Sequence, residues 1–264
     1  PLDFPEGVNT VDSARQYSSS LNDEETHALL QEVPKAYNTQ ITDVLLAALA
    51  QALTGWTGAS GHSIALEGHG REPILEGVDL SRTIGWFTTL YPVHIDLAGA
   101  VGPAETLKAI KEQMRQNPNG GIGYGLLRYL RDDQQIKARL QSLPQPEMSF
   151  TYLGQLDQSL PEDSSFRLES FGLSGGTGAE RRRHLLDVNG LVLGGCLQMD
   201  WVYSEQVHRA STIEGLADAF LEALRVLIAH CNARESVTPT PSDFTGASLN
   251  EEDLEKIMRT LGAD

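Results

Sequence analysis

Two cysteines, Cys196 and Cys231, are all that 264 residues contain. They lie far apart and in no CxxC or Cys/His spacing, which excludes a disulfide framework and a zinc site from the reading. A reducing, cytoplasmic setting is the simple reading. Long apolar runs are also missing. The longest, residues 44–52, is broken by Gln51 and falls short of the roughly 18–20 residues that span a bilayer, so no membrane segment is expected. Basic residues are scarce: 20 Lys and Arg against 36 Asp and Glu give a net charge of −16. Nucleic-acid binding draws most of its affinity from a basic face, so that class is set aside. Arg181, Arg182 and Arg183 form the one basic cluster and read as a loop or strand edge. There is no Gly-x-Ser-x-Gly elbow, no Gly-Lys-Ser/Thr after a glycine loop, no adjacent histidine pair and no charged-then-apolar leader. The chain starts with Pro1 and reads as a piece of something longer.

What is present is an ordinary globular composition, 40% hydrophobic and 21% charged. Residues 1–20 read as an extended entry strap ending in a short strand at 17–21. A helix is predicted from Asp23 to about Val33, capped by Asn22 and ended by Pro34. A second starts at Asn38 or Thr39 and runs to about Leu53. Ile41, Val44, Leu45, Leu49 and Leu53 recur at helical spacing with alanines between them, so this helix is apolar nearly all round and central. Strands are expected at 63–66, 91–97, 147–153, 166–171, 184–193 and 196–203, and helices at 103–116, 126–132 and 134–140. The last two strands form a hairpin whose turn is Asn189-Gly190 or Gly194-Gly195; the second keeps both runs whole and is preferred. Capping boxes at Ser211–Glu214 and Ser248–Glu251 open two more helices, one long and one short and acidic. Residues 235–247 read as a Ser/Thr/Pro linker.

The chemistry centres on residues 66–72, Leu-Glu-Gly-His-Gly-Arg-Glu. A strand ends there, and Glu67 sits where it breaks into a turn. Gly68 and Gly70 suit backbone angles that side chains forbid, or let a ligand approach closely. Two readings stand: a solvated surface turn, or a carboxylate tuned for proton transfer. His69 lies in the same turn and is expected to brace it. His184 and Asp187, at strand spacing, point to opposite faces and are read as an accidental pair. His208 and His230 flank the last long helix and read as surface or packing residues. The glycines of residues 117–125 lack the spacing of a nucleotide loop.

Four stretches then occur in order: LEGHGRE at 66–72, SRTIGWFT at 81–88 followed by Tyr91-Pro92, PNGGIGYG at 118–125 and FTYLG at 150–154, with TPSDF at 240–244 closing the chain. Together they resemble the signature stretches of epimerization domains of nonribosomal peptide synthetases, within the condensation-domain superfamily. The resemblance implies an α/β (α+β) fold: a chloramphenicol-acetyltransferase-like lobe with a mixed β-sheet flanked by helices. It implies a site that inverts the α-carbon of an aminoacyl or peptidyl thioester, carried on the 4'-phosphopantetheine arm of an upstream peptidyl carrier protein, as part of antibiotic or other secondary metabolism. No cofactor is bound by the chain itself.

Glu67 is then one acid/base, with Thr151 and Tyr152 beside the reacting group. His69, Arg71, Arg82, Trp86, Phe87 and Tyr124 line or support the substrate tunnel. Arg71 would pair with the acidic residue of the second motif, and residues 172–178 would form a segment crossing to the other lobe. The second acid/base in such domains is a histidine of an HHxxxDG motif on an N-terminal lobe, and that motif is absent here. The expectation is therefore a C-terminal lobe over residues 1–234, an exit linker with a short acidic helix over 235–264, and no epimerisation by the fragment alone. Thr151 departs from the Asn that such domains carry before the Tyr. Alternative readings are a peptide-bond-forming condensation domain and a non-catalytic carrier-docking domain.

Overall fold

A computed structural model describes residues 1–156, 178–234, 236–244, 246–247 and 249–261. In chain order these form β1 (Ala14–Ser20), α1 (Asp23–Gln31), α2 (Val33–Tyr37), α3 (Ile41–Thr57), β2 (Gly61–Gly68), β3 (Thr89–Asp96), α4 (Pro103–Arg115), α5 (Gly123–Gly125), α6 (Gln134–Ser142), β4 (Met148–Gln155), β5 (Leu186–Leu193), β6 (Cys196–Ser204), α7 (Ala210–Asn232) and α8 (Glu251–Leu261). The fold is mixed α/β, as expected. The strand expected at 166–171 lies outside the described residues, as does all of the 172–178 loop except Gly178.

The strands form one six-stranded sheet in the order β1-β6-β5-β4-β2-β3. β2, β4 and β5 run parallel, while β6 pairs antiparallel with β5 and with β1. The β5–β6 hairpin closes through Gly194-Gly195, with Leu193 opposite Cys196, so both flanking runs stay intact. Parallel neighbours need long crossovers, which is why β2 and β4 are paired in space although 79 residues lie between Gly68 and Met148.

The chain divides into two compact units. The first, residues 1–23, 62–94 and 117–219, holds most of the sheet. One of its sheet faces is apolar: Ile64, Leu66, Met148, Phe150, Leu186, Val188, Met199 and Trp201 are all buried. The other face mixes buried Ala65, Leu191 and Val202 with the polar side chains Ser149, Thr151, Asp187, Asn189 and Asp200, and carries the candidate site.

The second unit, residues 24–61, 95–116 and 220–264, is organised on α3. Val44 through Ala50 are wholly buried without a break, the signature of a helix surrounded on all sides. Its start differs from expectation. Asn38 adopts a left-handed conformation (φ 52°) and closes α2, and Gln40 caps α3 with Asp43 in a reciprocal box. Pro34 does not end helical structure either; it sits in the first turn of α2, where its missing N–H has no helical partner to lose.

Two further caps shift. α7 begins at Ala210, which puts Ser211 inside its first turn. α8 is capped by Asn250, whose Oδ1 accepts from the Asp253 amide at 2.9 Å. His230 hydrogen-bonds Tyr37 at 2.7 Å, and His208 is buried, so both serve packing. Burial also pushes the Cys231 thiol up to about 11, which keeps it an unreactive thiol at neutral pH.

The TPSDF stretch has a structural role in this second unit. Lys111, 1% exposed, sends its ammonium to both carboxylate oxygens of Asp243 at 2.7 Å and to the Tyr37 carbonyl at 2.8 Å. Asp243 also accepts from Asn38 at 2.7 Å and from the Thr240 amide at 2.8 Å, and Glu112 accepts from the Ser242 hydroxyl. Burial would raise the Asp243 carboxyl, but the Lys111 hydrogen bond and the other donors outweigh it and hold the group below its ordinary value.

Candidate functional site

Glu67 is the last side chain before the glycine that ends β2. In register, Leu66 lies beside Phe150 of β4, so the next step along both strands sets Glu67 beside Thr151. The Thr151 hydroxyl donates to Glu67 Oε2 at 2.9 Å. Thr151 is buried and Glu67 half-buried, so this hydrogen bond orients a carboxylate whose other oxygen, Oε1, takes no hydrogen bond among the described residues.

The same face of the sheet continues as a polar row. Thr151 is in register with Asn189 of β5, Asn189 with Asp200 of β6, and Asp200 with Ser18 of β1, whose hydroxyl donates to it at 2.5 Å. One step back along β4 and β5, the Ser149 hydroxyl donates to Asp187 Oδ1. Arg182 donates to Asp187 Oδ2 at 2.6 Å, and His184 Nδ1 lies 2.9 Å from Oδ1. This corrects the expectation that His184 and Asp187 point apart. β5 begins only at Leu186, so His184 precedes the strand and the alternation rule does not reach it. Arg182 also donates to Asn9 Oδ1 and to the Val202 carbonyl, which makes it a structural residue.

Burial would raise the Asp187 carboxyl, yet hydrogen bonds from His184, Ser149 and Arg182 hold it below the ordinary value of 3.8. A depressed carboxyl contributes stability that is complete above its unfolded pKa and is lost as pH falls through its folded pKa. Asp187→Asn is therefore expected to lower stability above about pH 4, where the carboxylate's contribution is complete, and to differ little from the parent toward the acid end. Thermal midpoints of the two proteins measured from pH 7 down to pH 2 check this: their difference should shrink toward the acid end.

The turn after Glu67 is built by its own chain. A Cβ at Gly70, where φ is +65°, would meet the Phe87 carbonyl oxygen at 1.6 Å, so only glycine fits. His69 Nδ1 accepts from the Arg71 amide at 2.9 Å and its Nε2 faces Glu72 at 3.4 Å, contacts that tie the turn to itself. Arg71 donates to the carbonyls of Leu80 (2.6 Å) and Gly85 (3.3 Å) and lies over the Phe87 ring, pinning the 72–87 loop back on the turn. Arg82 and Trp86 are exposed on that loop, Trp86 at 88%.

The glycines of residues 118–125 also serve close approach. At Gly121, φ +79°, a Cβ would fall 2.3 Å from the Tyr91 ring. The Tyr91 phenol is pushed up by burial and by neighbouring Glu72. Tyr124 meets Arg128 through its hydroxyl. The structure thus gathers LEGHGRE, the Phe87 and Tyr91 segments and the glycine stretch around one turn, with glycines used for chain packing.

Tyr152 is placed differently. Alternation along β4 sends it to the sheet face opposite Thr151, beside Gly190 and Met199. Burial raises its phenol, so it stays protonated at neutral pH. Sequence reasoning missed Asn189 and the Ser149–Asp187–Arg182 network. The alternation of residues 186–193 would have put Asp187 and Asn189 on one face; their neighbours depend on the β4–β5 register.

The Condensation domain family model matches residues 3–250. One of the linear gramicidin synthase polypeptides of Brevibacillus parabrevis is 47% identical over 261 residues, covering 98% of this chain and 3% of that protein. Chondramide synthase cmdD of Chondromyces crocatus is 46% identical over 266 residues, 100% of this chain and 7% of that protein. The chain therefore spans only a small part of these relatives. Among solved structures, the epimerization domain from the third module of tyrocidine synthetase B superposes with a TM-score of 0.78 at 35% identity, covering 89% of this chain and 52% of that one.

Proposed function

This chain belongs to the condensation-domain family, and from that premise we propose that it is the C-terminal lobe of an epimerization domain. Its chloramphenicol-acetyltransferase-like fold supplies one wall of the site. The observation that carries the reading is Glu67 at the end of β2, oriented by the Thr151 hydroxyl at 2.9 Å.

In this reading Glu67 exchanges the α-proton of an aminoacyl or peptidyl thioester presented on a carrier-bound 4'-phosphopantetheine arm. The Cα–H bond breaks, the proton passes to or from Oε1, and the electron pair moves onto the thioester carbonyl oxygen as an enolate. A proton returned to the opposite face of the carbon inverts it. One carboxylate reaches one face only, so the second acid/base comes from an N-terminal lobe carrying HHxxxDG. Thr151 holds Oε2 and so fixes which oxygen works. Tyr152, Arg71 and Phe87 support the strand and turn; His69 braces the turn; Arg82, Trp86 and Tyr124 are assigned to the tunnel wall or its support.

Residues 1–264 alone are expected to show no α-proton exchange above background on an aminoacyl carrier protein in D2O. The same chain joined to an N-terminal lobe is expected to exchange and to yield the D-residue. Exchange by the isolated chain would remove the two-lobe requirement.

The family match also favours a second reading, a condensation domain that forms peptide bonds. Chiral analysis separates the two: the epimerase gives D-residue without an acceptor, and the condensation domain gives peptide only with one.

A further inference from the structure

A threonine hydroxyl has one proton to donate. Thr151 directs it to Glu67 Oε2, so it has none left for a substrate oxygen. Asparagine at this position would bring two N–H donors, enough for both. The enolate formed when Glu67 takes the α-proton nevertheless needs a donor at its oxygen, because charge develops there in the transition state.

The side chain next along the same face is Asn189. It is in register with Thr151 on the parallel strand β5, two residues beyond Asp187, whose hydrogen bond from Ser149 shows that these strands share this face. Asn189 is half-buried, and its carboxamide has no side-chain hydrogen bond among the described residues. Glu67 and Asn189 flank Thr151 on either side. Two strand spacings put their Cα atoms about 10 Å apart. A base-to-carbon contact, the Cα–C=O unit and a hydrogen bond of about 3 Å fill such a span.

Building on the epimerase reading above, we propose that Asn189 binds the thioester carbonyl oxygen through Nδ2–H and stabilises the enolate, supplying the carboxamide that Thr151 lacks. The balance is that of the proton transfer itself: Glu67 gains the α-proton, the carbonyl oxygen gains the electron pair, and Asn189 holds that oxygen without exchanging atoms.

The test uses the complete two-lobed domain and an aminoacyl carrier protein, following α-proton exchange. Asn189→Ala and the similarly sized Asn189→Leu are each expected to lower kcat about 100-fold, the order seen on removing one oxyanion donor, with KM within about threefold. Thr151→Asn placed on Asn189→Ala is expected to restore at least tenfold of the loss, because the new carboxamide can serve both partners. Circular dichroism and thermal midpoints identify any variant that fails to fold, and the rescued double variant then carries the test. Glu67→Gln runs alongside. If Glu67→Gln is inactive while both Asn189 variants keep full kcat, the Asn189 assignment is overturned and the epimerase reading stands. If Asn189→Ala raises KM alone, or Thr151→Asn rescues nothing, the assignment is likewise overturned. If Glu67→Gln exchanges normally, the epimerase reading falls and the Asn189 role with it.

Discussion

Glu67→Gln in the complete domain is expected to cut α-proton exchange on a carrier-bound substrate by about 10²–10⁴-fold, the contribution of a positioned general acid or base. Glutamine keeps the shape and can still meet Thr151, so the loss isolates the proton-carrying oxygen. Thr151→Val removes the hydrogen bond to Oε2 and keeps the volume. A hydrogen bond to a charged group contributes about 1.5–3 kcal/mol, so a fall of roughly 10–100-fold is expected there if the bond is fully used in the transition state. The order matters: valine must hurt less than glutamine. Single-turnover exchange in D2O, followed by mass spectrometry of the released amino acid, reads both. Equal losses would mean that Thr151 does more than orient the carboxylate.

The second large effect lies far from the chemistry. Asp243→Ala leaves the Lys111 ammonium, 1% exposed, without its counter-ion. Breaking a buried pair from one side costs about 3–5 kcal/mol because a charge is stranded in a poorly solvating interior. Thermal or urea unfolding of the complete domain should show that loss. Removing both charges in Lys111→Met with Asp243→Leu is expected to recover much of it, since no stranded ion remains. The sign with pH follows from the depressed Asp243 carboxyl: the pair's contribution is complete above the ordinary value of 3.8 and fades as pH falls through the folded pKa. A loss under about 1 kcal/mol for Asp243→Ala would mark the pair as ordinary surface chemistry. TPSDF reads along the chain as linker, yet Thr240 to Asp243 is anchored to α4 and to Asn38 through these polar contacts.

What is legible in the sequence is local. α3 stands out because its apolar residues repeat at helical spacing with small residues between them. The Gly194-Gly195 turn follows from two uninterrupted alternating runs. Glu67 at a strand end follows from the glycines and Pro73 after it, although the pattern alone leaves site and surface turn open. Features set by a partner distant in sequence are not legible. Thr151 lies 84 residues from Glu67, and only the resemblance of FTYLG and LEGHGRE to one family's motifs brings them together without the structure. His184 and Asp187 meet, against expectation, because strand alternation starts only at Leu186. Pro34 reads as a stop, yet its position in a first turn makes it compatible with a helix. Asn189 escapes a reading along the chain because its neighbour is fixed by the parallel register of β4 and β5 and by nothing nearby in sequence.

Movement of an α-proton by Glu67 is the central claim, and one measurement addresses it directly. The complete two-lobed domain is incubated in D2O with an L-aminoacyl carrier protein and no acceptor, and the released residue is analysed for both deuterium and configuration. The expected result is one deuterium at Cα in every D-residue formed, and loss of both signals in Glu67→Gln. An L-residue free of deuterium, together with peptide formation once an acceptor carrier is added, would contradict it.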